Sequence, residues 1–460
     1  MGKRVTVLGL GIEGVDVARY AAAHGAAVTV ADSKPPASLT ARIRELEGLP
    51  ITYALGPHRT DLIANSDVLF VSQSVPLDAP PVAEARRRGI PISSMTRWFF
   101  EQCPGPTIGI TGSSGKTTAT SLVAAMLRAG GRKHIVGGNI GTGLLGLLDG
   151  MDAETWAVVE VSHTQLQLLD AAPHIAAVLN VTPNHLDRFS WEEYVALKQR
   201  LVRGQTADDV VVLNLRDPLS AAMSGLTPAA AWHFTSSGEL PGNGAFVRDG
   251  AIFLLRDAIE EMVLPLEEIP LRGAHNVDNV LAAAAIAAAA GVNSEAIARA
   301  VRAFQPVPHR LEFVAEVAGV RYVNDSIATT PERALAGVRS FVEPLVLLLG
   351  GKDKDLPKED LADEALRRCS GIVFFGADGP LLEAAVEARA GLVAAGGRPR
   401  TVRAATLAEA VRAAHEMAGN GDVVLLSPAC TSFDAYANFE ERGEEFRRLV
   451  RALAADTEDA

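Results

Sequence analysis

Cysteine is scarce in this sequence. Its three residues, Cys103, Cys369 and Cys430, lie far apart with no paired spacing. That excludes a disulfide framework and gives no metal-ligand signature, so they read as small buried apolar side chains in a protein kept in a reducing cytoplasm. An excess of basic residues is missing too: 43 Lys and Arg stand against 55 Asp and Glu, a net charge of −12. A chain without a basic face is not a general nucleic-acid binder, although local donors can still hold one small anion. Long apolar runs are absent. The most apolar stretch, Leu281–Val292, is mostly alanine and too short to span a bilayer, so it reads as a buried helix and no membrane insertion is expected. The opening run MGKRVTVLGLG enters a strand directly, without a signal-peptide h-region. No short-period repeat is visible. Only the last residues, Asp456–Ala460, look too polar to fold. With no evident interface patch, a monomer is the default.

The rest is ordinary globular composition over 460 residues, too many for a single core. Strand and helix patterns alternate throughout, which predicts mostly parallel sheets with helices on both faces. Strands are expected at Arg4–Leu8, Ala27–Ala31 and Val68–Ser72, then at Thr107–Thr111, Trp156–Val161, Ile175–Asn180 and Val210–Leu213. A turn-rich antiparallel patch is expected within Phe234–Leu255 and a long helix at Asn276–Ala290. Further strands are expected at Val320–Asn324, Leu345–Leu349, Ile372–Phe375 and Val423–Leu426. Pro104-Gly105-Pro106 and Pro306-Val307-Pro308 read as linkers. The prediction is therefore an α/β protein of three domains, 1–104, 105–306 and 307–460. The outer two are Rossmann-like and the central one resembles a P-loop ATPase, with ligands at the carboxyl ends of strands and between domains.

The most specific local signal is Thr111-Gly-Ser-Ser-Gly-Lys-Thr-Thr118, between a strand and a helix. Gly112 and Gly115 let backbone N–H groups converge on phosphate oxygens, Lys116 brings a charge to the β- and γ-phosphates, and Thr117 offers a hydroxyl to Mg²⁺. The spacing is shorter than the general phosphate-loop pattern, which would place glycine where Ile110 stands. Upstream, Gly9-Leu-Gly-Ile-Glu-Gly14 with Asp32 about twenty residues on has the dinucleotide pattern. That turn says only that a phosphate or diphosphate approaches a helix N-terminus, so NAD or a nucleotide-sugar diphosphate satisfies it equally.

Glu160 closes an apolar strand and would face the crevice beside the phosphate loop. His185 and Asp187 follow the strand Ile175–Asn180, so neighbouring strands would offer oxygen and imidazole ligands to one cleft. Lys198, in Trp191–Lys198, reads from the residues alone as a solvated lysine on a helix.

Taken together, these residues resemble the Mur ligases of bacterial cell-wall synthesis. The likeness runs over nearly the whole chain. It includes Gly9–Gly14, TGSSGKTT at 111–118, Gly137–Gly141, Glu160, Asn180–Arg188, His275-Asn276, Pro308-His-Arg310 and Asn324-Asp-Ser326. It continues through Leu349-Gly-Gly351 with Lys354, Leu426–Asp434 and Asn438–Gly443. The C-terminal run points to the branch that adds D-glutamate to UDP-N-acetylmuramoyl-L-alanine, through an acyl phosphate made from ATP.

The resemblance implies a UDP-binding first domain, with Gly11, Ile12 and Glu13 near the diphosphate, Asp32, Ser33 and Lys34 near the uracil, and Ser72 beside them. It implies Asn139, Ser162, Gln165 and His185 at the muramoyl-alanine part. Gly112, Ser113, Ser114, Gly115, Lys116, Thr117, Thr118, Asn276, Asn279, Arg310 and Asp325 would serve ATP. Thr117 and Glu160 would hold one Mg²⁺, and His185 with a carbamylated Lys198 a second. Thr329, Lys354, Ser432 and Phe439 would receive glutamate. Three places depart from the family pattern: Ser162–Gln167, Ser72-Gln-Ser74, and Ile327 where lysine is common. The last removes a charge and bears on which glutamate enantiomer is accepted. A sister or folylpolyglutamate-type ligase, an NAD-dependent oxidoreductase and a non-catalytic nucleotide-binding regulator are the alternatives.

Overall fold

The structure, a computed structural model, describes residues 2–57, 60–140, 143–184, 188–305, 308–392 and 397–458. Among these residues twenty strands form three sheets. The first holds β1 (Arg4–Leu8), β2 (Ala27–Asp32), β3 (Ile51–Leu55), β4 (Val68–Val71) and β5 (Ile92–Ser93). Its order is β3-β2-β1-β4-β5 and every pairing is parallel. The order reverses between β1 and β4, so the crevice at their carboxyl ends is the topological switch point, and the turn Gly9–Gly14 opens there.

The second sheet holds β6 (Thr107–Thr111), β7 (His134–Gly138), β8 (Trp156–Glu160), β9 (Ile175–Val178), β10 (Val210–Asn214), β11 (Ala230–Thr235), β12 (Gly244–Arg248), β13 (Ala251–Arg256) and β14 (Ile259–Pro265). Its order is β14-β13-β12-β11-β10-β9-β6-β8-β7, with β13 antiparallel to both of its neighbours. β6 lies between β8 and β9, so the segments leaving those strands flank the phosphate loop. All five residues of β6 are buried, as expected of a parallel strand covered on both faces.

The third sheet holds β15 (Glu312–Val317), β16 (Val320–Asn324), β17 (Leu345–Gly350), β18 (Cys369–Phe375), β19 (Arg400–Ala404) and β20 (Val423–Ala429), in the order β15-β16-β20-β17-β18-β19. Only β15 runs antiparallel.

The chain forms two compact units, Met1–Glu268 with Asp278–Phe304, and Ile269–Val277 with Gln305–Ala460. Within the first unit one apolar cluster runs from Val5, Val7 and Phe70 through Met95, Phe99, Leu144 and Leu145 to Val159, Val178 and Leu213. The first two sheets therefore share a core. Gly105, read from sequence as part of a linker, is buried, and a Cβ there would overlap the Thr155 carbonyl oxygen. Of the second expected linker, Pro306 and Val307 lie outside the described residues.

The alanine-rich helix Ala274–Ala289 is buried through Leu281–Ala288, as its composition implies. The C-terminal helix Phe439–Glu458 runs into the tail that looked too polar to fold. Cys369 and Cys430 are buried and Cys103 is half-buried, all as free thiols. Burial pushes the Cys369 and Cys430 thiols up to about 12, which leaves them inert. Among the described residues no helix is long and apolar enough to cross a membrane.

Candidate active site

β6 ends at Thr111, the chain turns through Gly112–Gly115, and the helix Lys116–Ala129 begins. Gly115 sits at φ +78°, and a Cβ on it would overlap Asn279 Oδ1, so both conformation and space demand glycine. No side chain caps this helix, and its regular bonding starts with the Ala119 N–H on the Gly115 carbonyl. The N–H groups of the first turn, around Lys116, Thr117 and Thr118, thus form a helix end suited to an anion. The two serines also tie the loop to the segment after β9. Ser113 is buried, donates its N–H to the Asn180 carbonyl (3.0 Å), and links its hydroxyl to the Thr182 carbonyl (2.9 Å) and Tyr194 Oη (3.0 Å). The Ser114 N–H donates to Asn180 Oδ1 at 2.9 Å. Asn180 and Tyr194 hold the loop open, and sequence reasoning gave neither side chain a role. The one available signal was Asn180 opening the Asn180–Arg188 run.

Lys116 Nζ donates to the carbonyls of Gly112 (2.9 Å) and Ser113 (3.3 Å). Lys198 overturns the reading made from its residues alone. It is 1% exposed, and its Nζ donates to Thr111 Oγ1 (3.0 Å) and the Gly112 carbonyl (3.1 Å). The reason is its place on the helix Trp191–Arg203, whose inward face also carries Tyr194, Leu201 and Val202, so the lysine lies on the core side rather than in water. Burial first, and the Lys116 charge second, hold the Lys198 amine well below its ordinary range.

Glu160, at the end of β8, is 1% exposed. Its Oε1 accepts from Asn139 Nδ2 at 2.9 Å, while its buried Oε2 has no hydrogen-bond partner among the described residues. A buried carboxylate oxygen left unmatched beside a phosphate-binding turn suits a hard divalent cation. Thr117 is half-buried in the first helical turn of that loop. His185 and Asp187 lie outside the described residues. Among the described residues no three His, Cys, Asp or Glu side chains cluster as a metal cage.

At the first turn, a Cβ on Gly14 would overlap the Gly9 carbonyl oxygen. Ser72 Oγ donates to that carbonyl at 2.9 Å. Asp32 accepts the N–H groups of Leu10 (2.7 Å) and Lys34 (2.9 Å), so its carboxylate ties the turn to the end of β2. Gly11 has open space around it, and Ile12, Ser33 and Lys34 are exposed.

Glu13 is buried and faces the second sheet, accepting from the Gln73 N–H (2.9 Å) and Gln165 Nε2 (2.8 Å). Burial raises its pKa. Ser162 and Gln165 form a capping box on the helix His163–Leu166. Gln73 Oε1 accepts from Ser162 Oγ (3.3 Å) and Thr164 Oγ1 (3.2 Å). Glu13, Ser162 and Gln165 thus make polar contacts between the first two sheets, while Ser72 and Asp32 hold the first turn itself. A residue that sequence reasoning missed does the same: Asp16 accepts the N–H groups of Leu145 (2.7 Å) and Gly146 (3.1 Å). Nothing in its local sequence distinguishes it from a surface aspartate on a helix.

In the second compact unit, Asp325 is buried after β16 and accepts from Ser427 Oγ (2.8 Å) and the Leu311 N–H (3.2 Å). Burial pushes its carboxyl up to about 7, against the pull of Arg310 and Arg333. Arg310 is flanked by two non-glycine residues at positive φ, His309 (63°) and Leu311 (44°), a strained turn of the kind that collects at functional sites. Asn276 donates to the Arg272 carbonyl at 2.7 Å. Where lysine is common in the family, the Ile327 carbonyl takes Arg333 Nη1 at 3.4 Å, so a cation remains near that position. Thr329 is half-buried, Lys354 exposed and Ser432 buried, and the Phe439 carbonyl accepts from Ser326 Oγ (2.8 Å).

A phosphate loop flanked by a buried carboxylate and a buried lysine, within three mostly parallel sheets, defines a multidomain P-loop α/β protein. Residues 3–94 match the family description "Mur ligase MurD-like, N-terminal domain", residues 110–287 "Mur ligase middle domain" and residues 309–430 "Mur ligase, glutamate ligase domain". The chain belongs to the Mur ligase family. It is 40% identical over 455 residues to the UDP-N-acetylmuramoylalanine–D-glutamate ligase of Symbiobacterium thermophilum, covering 98% of each chain. It stands equally close to the ligase of the same name from Koribacter versatilis, with 40% identity and 98% coverage of each. Among solved structures, the UDP-N-acetylmuramate–alanine ligase MurC of Thermotoga maritima superposes with a TM-score of 0.60 at 17% identity, covering 98% of this chain and 99% of that one. The pseudomurein peptide ligase type C of Methanothermus fervidus gives 0.59 at 16%, covering 98% and 100%. These two show the shared fold. The family match also decides between the readings left open for the glycine-rich turn, in favour of a ligase over an oxidoreductase.

Proposed function

We propose that this protein is an ATP-dependent amide ligase of the cytoplasm that joins D-glutamate to UDP-N-acetylmuramoyl-L-alanine in peptidoglycan precursor synthesis. One observation carries the reading: over 98% of its length the chain is 40% identical to relatives that bear this reaction in their names. The intact loop Gly112–Thr118 and the buried Glu160 and Lys198 support it chemically.

The alanyl carboxylate of the acceptor attacks the γ-phosphorus of ATP, ADP leaves, and an acyl phosphate forms. The amine of glutamate attacks the acyl carbon, phosphate leaves, and an amide remains. Lys116, with the helix N-terminus behind it, stabilises charge on the transferring phosphoryl group. Thr117 and the unmatched Oε2 of Glu160 would hold Mg²⁺. When bound, that ion supplies positive charge that neutralises the phosphate oxygens. Lys198 makes no ion pair among the described residues, and its depressed pKa favours the neutral amine. That amine can add to CO₂ with loss of a proton, giving a carbamate able to share a second Mg²⁺ with His185. Gly11 and Ile12 at the first turn, and Ser33 and Lys34 just after β2, are exposed and would meet the uridine diphosphate. Thr329, Lys354, Ser432 and Phe439 belong to the loops assigned to glutamate.

A coupled phosphate-release assay with UDP-N-acetylmuramoyl-L-alanine, ATP, Mg²⁺ and either glutamate enantiomer tests this. The expected result is release that requires all components and D-glutamate. Release driven by L-lysine or L-alanine but by neither glutamate overturns it.

A further inference from the structure

Among the described residues the largest fully buried side chain is a cation, Arg442, at 1% exposure. It lies near the start of the helix Phe439–Glu458, at the carboxyl edge of the third sheet. Its guanidinium reaches three loops there. Nε donates to Ser326 Oγ (3.0 Å) and Nη2 to the Ser326 carbonyl (2.8 Å), just after β16. Nη1 lies 3.5 Å from the Gly350 carbonyl, at the end of β17, and 3.2 Å from each of the Cys430 and Thr431 carbonyls, just after β20.

Every one of these acceptors is neutral, and among the described residues Arg442 makes no ion pair. The hydrogen bonds satisfy the donors but leave the charge, and a buried charge without a counter-ion is costly. Burial holds the guanidinium down to about 10, with exposed Asp434 opposing the shift from a distance. The packing is specific to this side chain. Gly351, at φ +122°, has no room for a Cβ between Arg442 Nη1 and the Thr431 carbonyl. Lys352 and Thr431 bridge the same two loops.

We propose that Arg442 is the positioning residue of the amino-acid site: it fixes the loops after β16, β17 and β20 as one surface. Its unneutralised charge gives that surface its preference for a side-chain carboxylate over the matching neutral amide. Ser326 and Thr329 follow β16, Lys354 follows β17 and Ser432 follows β20, so one guanidinium sets the register of all three groups. This rests on the assignment of glutamate to the C-terminal loops made above.

The test is steady-state kinetics on the full-length enzyme with glutamate, glutamine, ATP and the UDP-linked acceptor varied in turn. Arg442→Gln should raise KM for glutamate about a hundredfold and shrink the preference for glutamate over glutamine at least tenfold, with KM for the other two substrates within about twofold. Arg442→Lys keeps the charge and should retain that preference while KM for glutamate rises about tenfold. Ser326→Ala removes one acceptor only. Should Arg442→Gln fail to fold, Ser326→Ala and Arg442→Lys still decide, through a raised glutamate KM at unchanged preference. Variants that lose melting temperature or kcat with glutamate KM and preference unmoved overturn the proposal, as does an equal rise in KM for all three substrates. If the wild type uses another amino acid, the glutamate assignment fails by itself. The role of Arg442 then stands if that amino acid is acidic and falls if it is neutral.

Discussion

Lys116 and Lys198 aim their ammonium groups at the same oxygen, the carbonyl of Gly112, at 2.9 and 3.1 Å. Two cations around one acceptor repel, and with burial that repulsion keeps the Lys198 amine easy to deprotonate. Removing the Lys116 charge should therefore raise the pKa of Lys198. In Lys116→Ala, kcat should fall on the order of 10²- to 10³-fold, through lost stabilisation of the phosphoryl group. The pH midpoint for carbamate formation at Lys198, followed by ¹³C NMR in labelled bicarbonate, should move upward. A midpoint that stays put would mean the two amines do not sense each other.

Glu160 divides its carboxylate between an amide and an unmatched oxygen. Glu160→Gln preserves the shape but removes the charge that suits a hard cation. The Mg²⁺ concentration for half-maximal activity should rise at least tenfold. Nucleotide affinity measured by calorimetry in EDTA should stay within about twofold. Equal losses in both measurements would assign Glu160 to the nucleotide instead.

Much of this was legible in the sequence because parallel strands buried on both faces are continuous apolar runs. β1, β6 and β16 carry the bounds read from their residues, and the turns that follow them hold the glycine patterns. β3 and β19 escaped notice because they are half-exposed edge strands with little apolar contrast. The burial of Lys198 was not legible, since a helical lysine looks the same whether its face meets water or a core. Asp16 and Arg442 were illegible for a related reason: their partners, backbone groups and the Ser326 hydroxyl, lie in segments 129–130 and up to 116 residues away. At Gly105 the structure adds only that the turn is packed, which Pro-Gly-Pro does not reveal, since it marks a turn equally well whether packed or free.

Asp16 supports a prediction about the joint between the first two sheets. Its two oxygens take the N–H groups of Leu145 and Gly146 at the start of the short helix Leu145–Gly150, and a Cβ on Gly143 would crowd its carboxylate. Asp16→Ala leaves those donors buried and unmatched, a loss of about 1–3 kcal/mol. Urea unfolding followed by tryptophan fluorescence should show a lower midpoint. Gly143→Ala should reproduce the loss by pushing the carboxylate away. A midpoint unchanged in both variants would mean that water serves the donors equally well.

Asp325 makes the stability of the second unit depend on pH in a definite direction. Its carboxyl ionises near 4 in an unfolded chain and at about 7 when folded, because burial outweighs Ser427, the Leu311 N–H, Arg310 and Arg333. Between those values the folded protein holds a proton that the unfolded chain has lost. The stabilising contribution is therefore complete below pH 4 and is lost as pH rises through 7, by at most about 4 kcal/mol. Asp325→Asn cannot ionise. Relative to wild type, it should gain stability steadily from pH 4 to pH 7 and hold the gain above 7, whatever constant offset the amide introduces at Ser427. Chemical denaturation of both proteins across pH 4–8 measures the difference. A difference that stays flat, or grows as pH falls, would show that this carboxyl is already ionised in the folded protein, held by its arginines rather than by its proton.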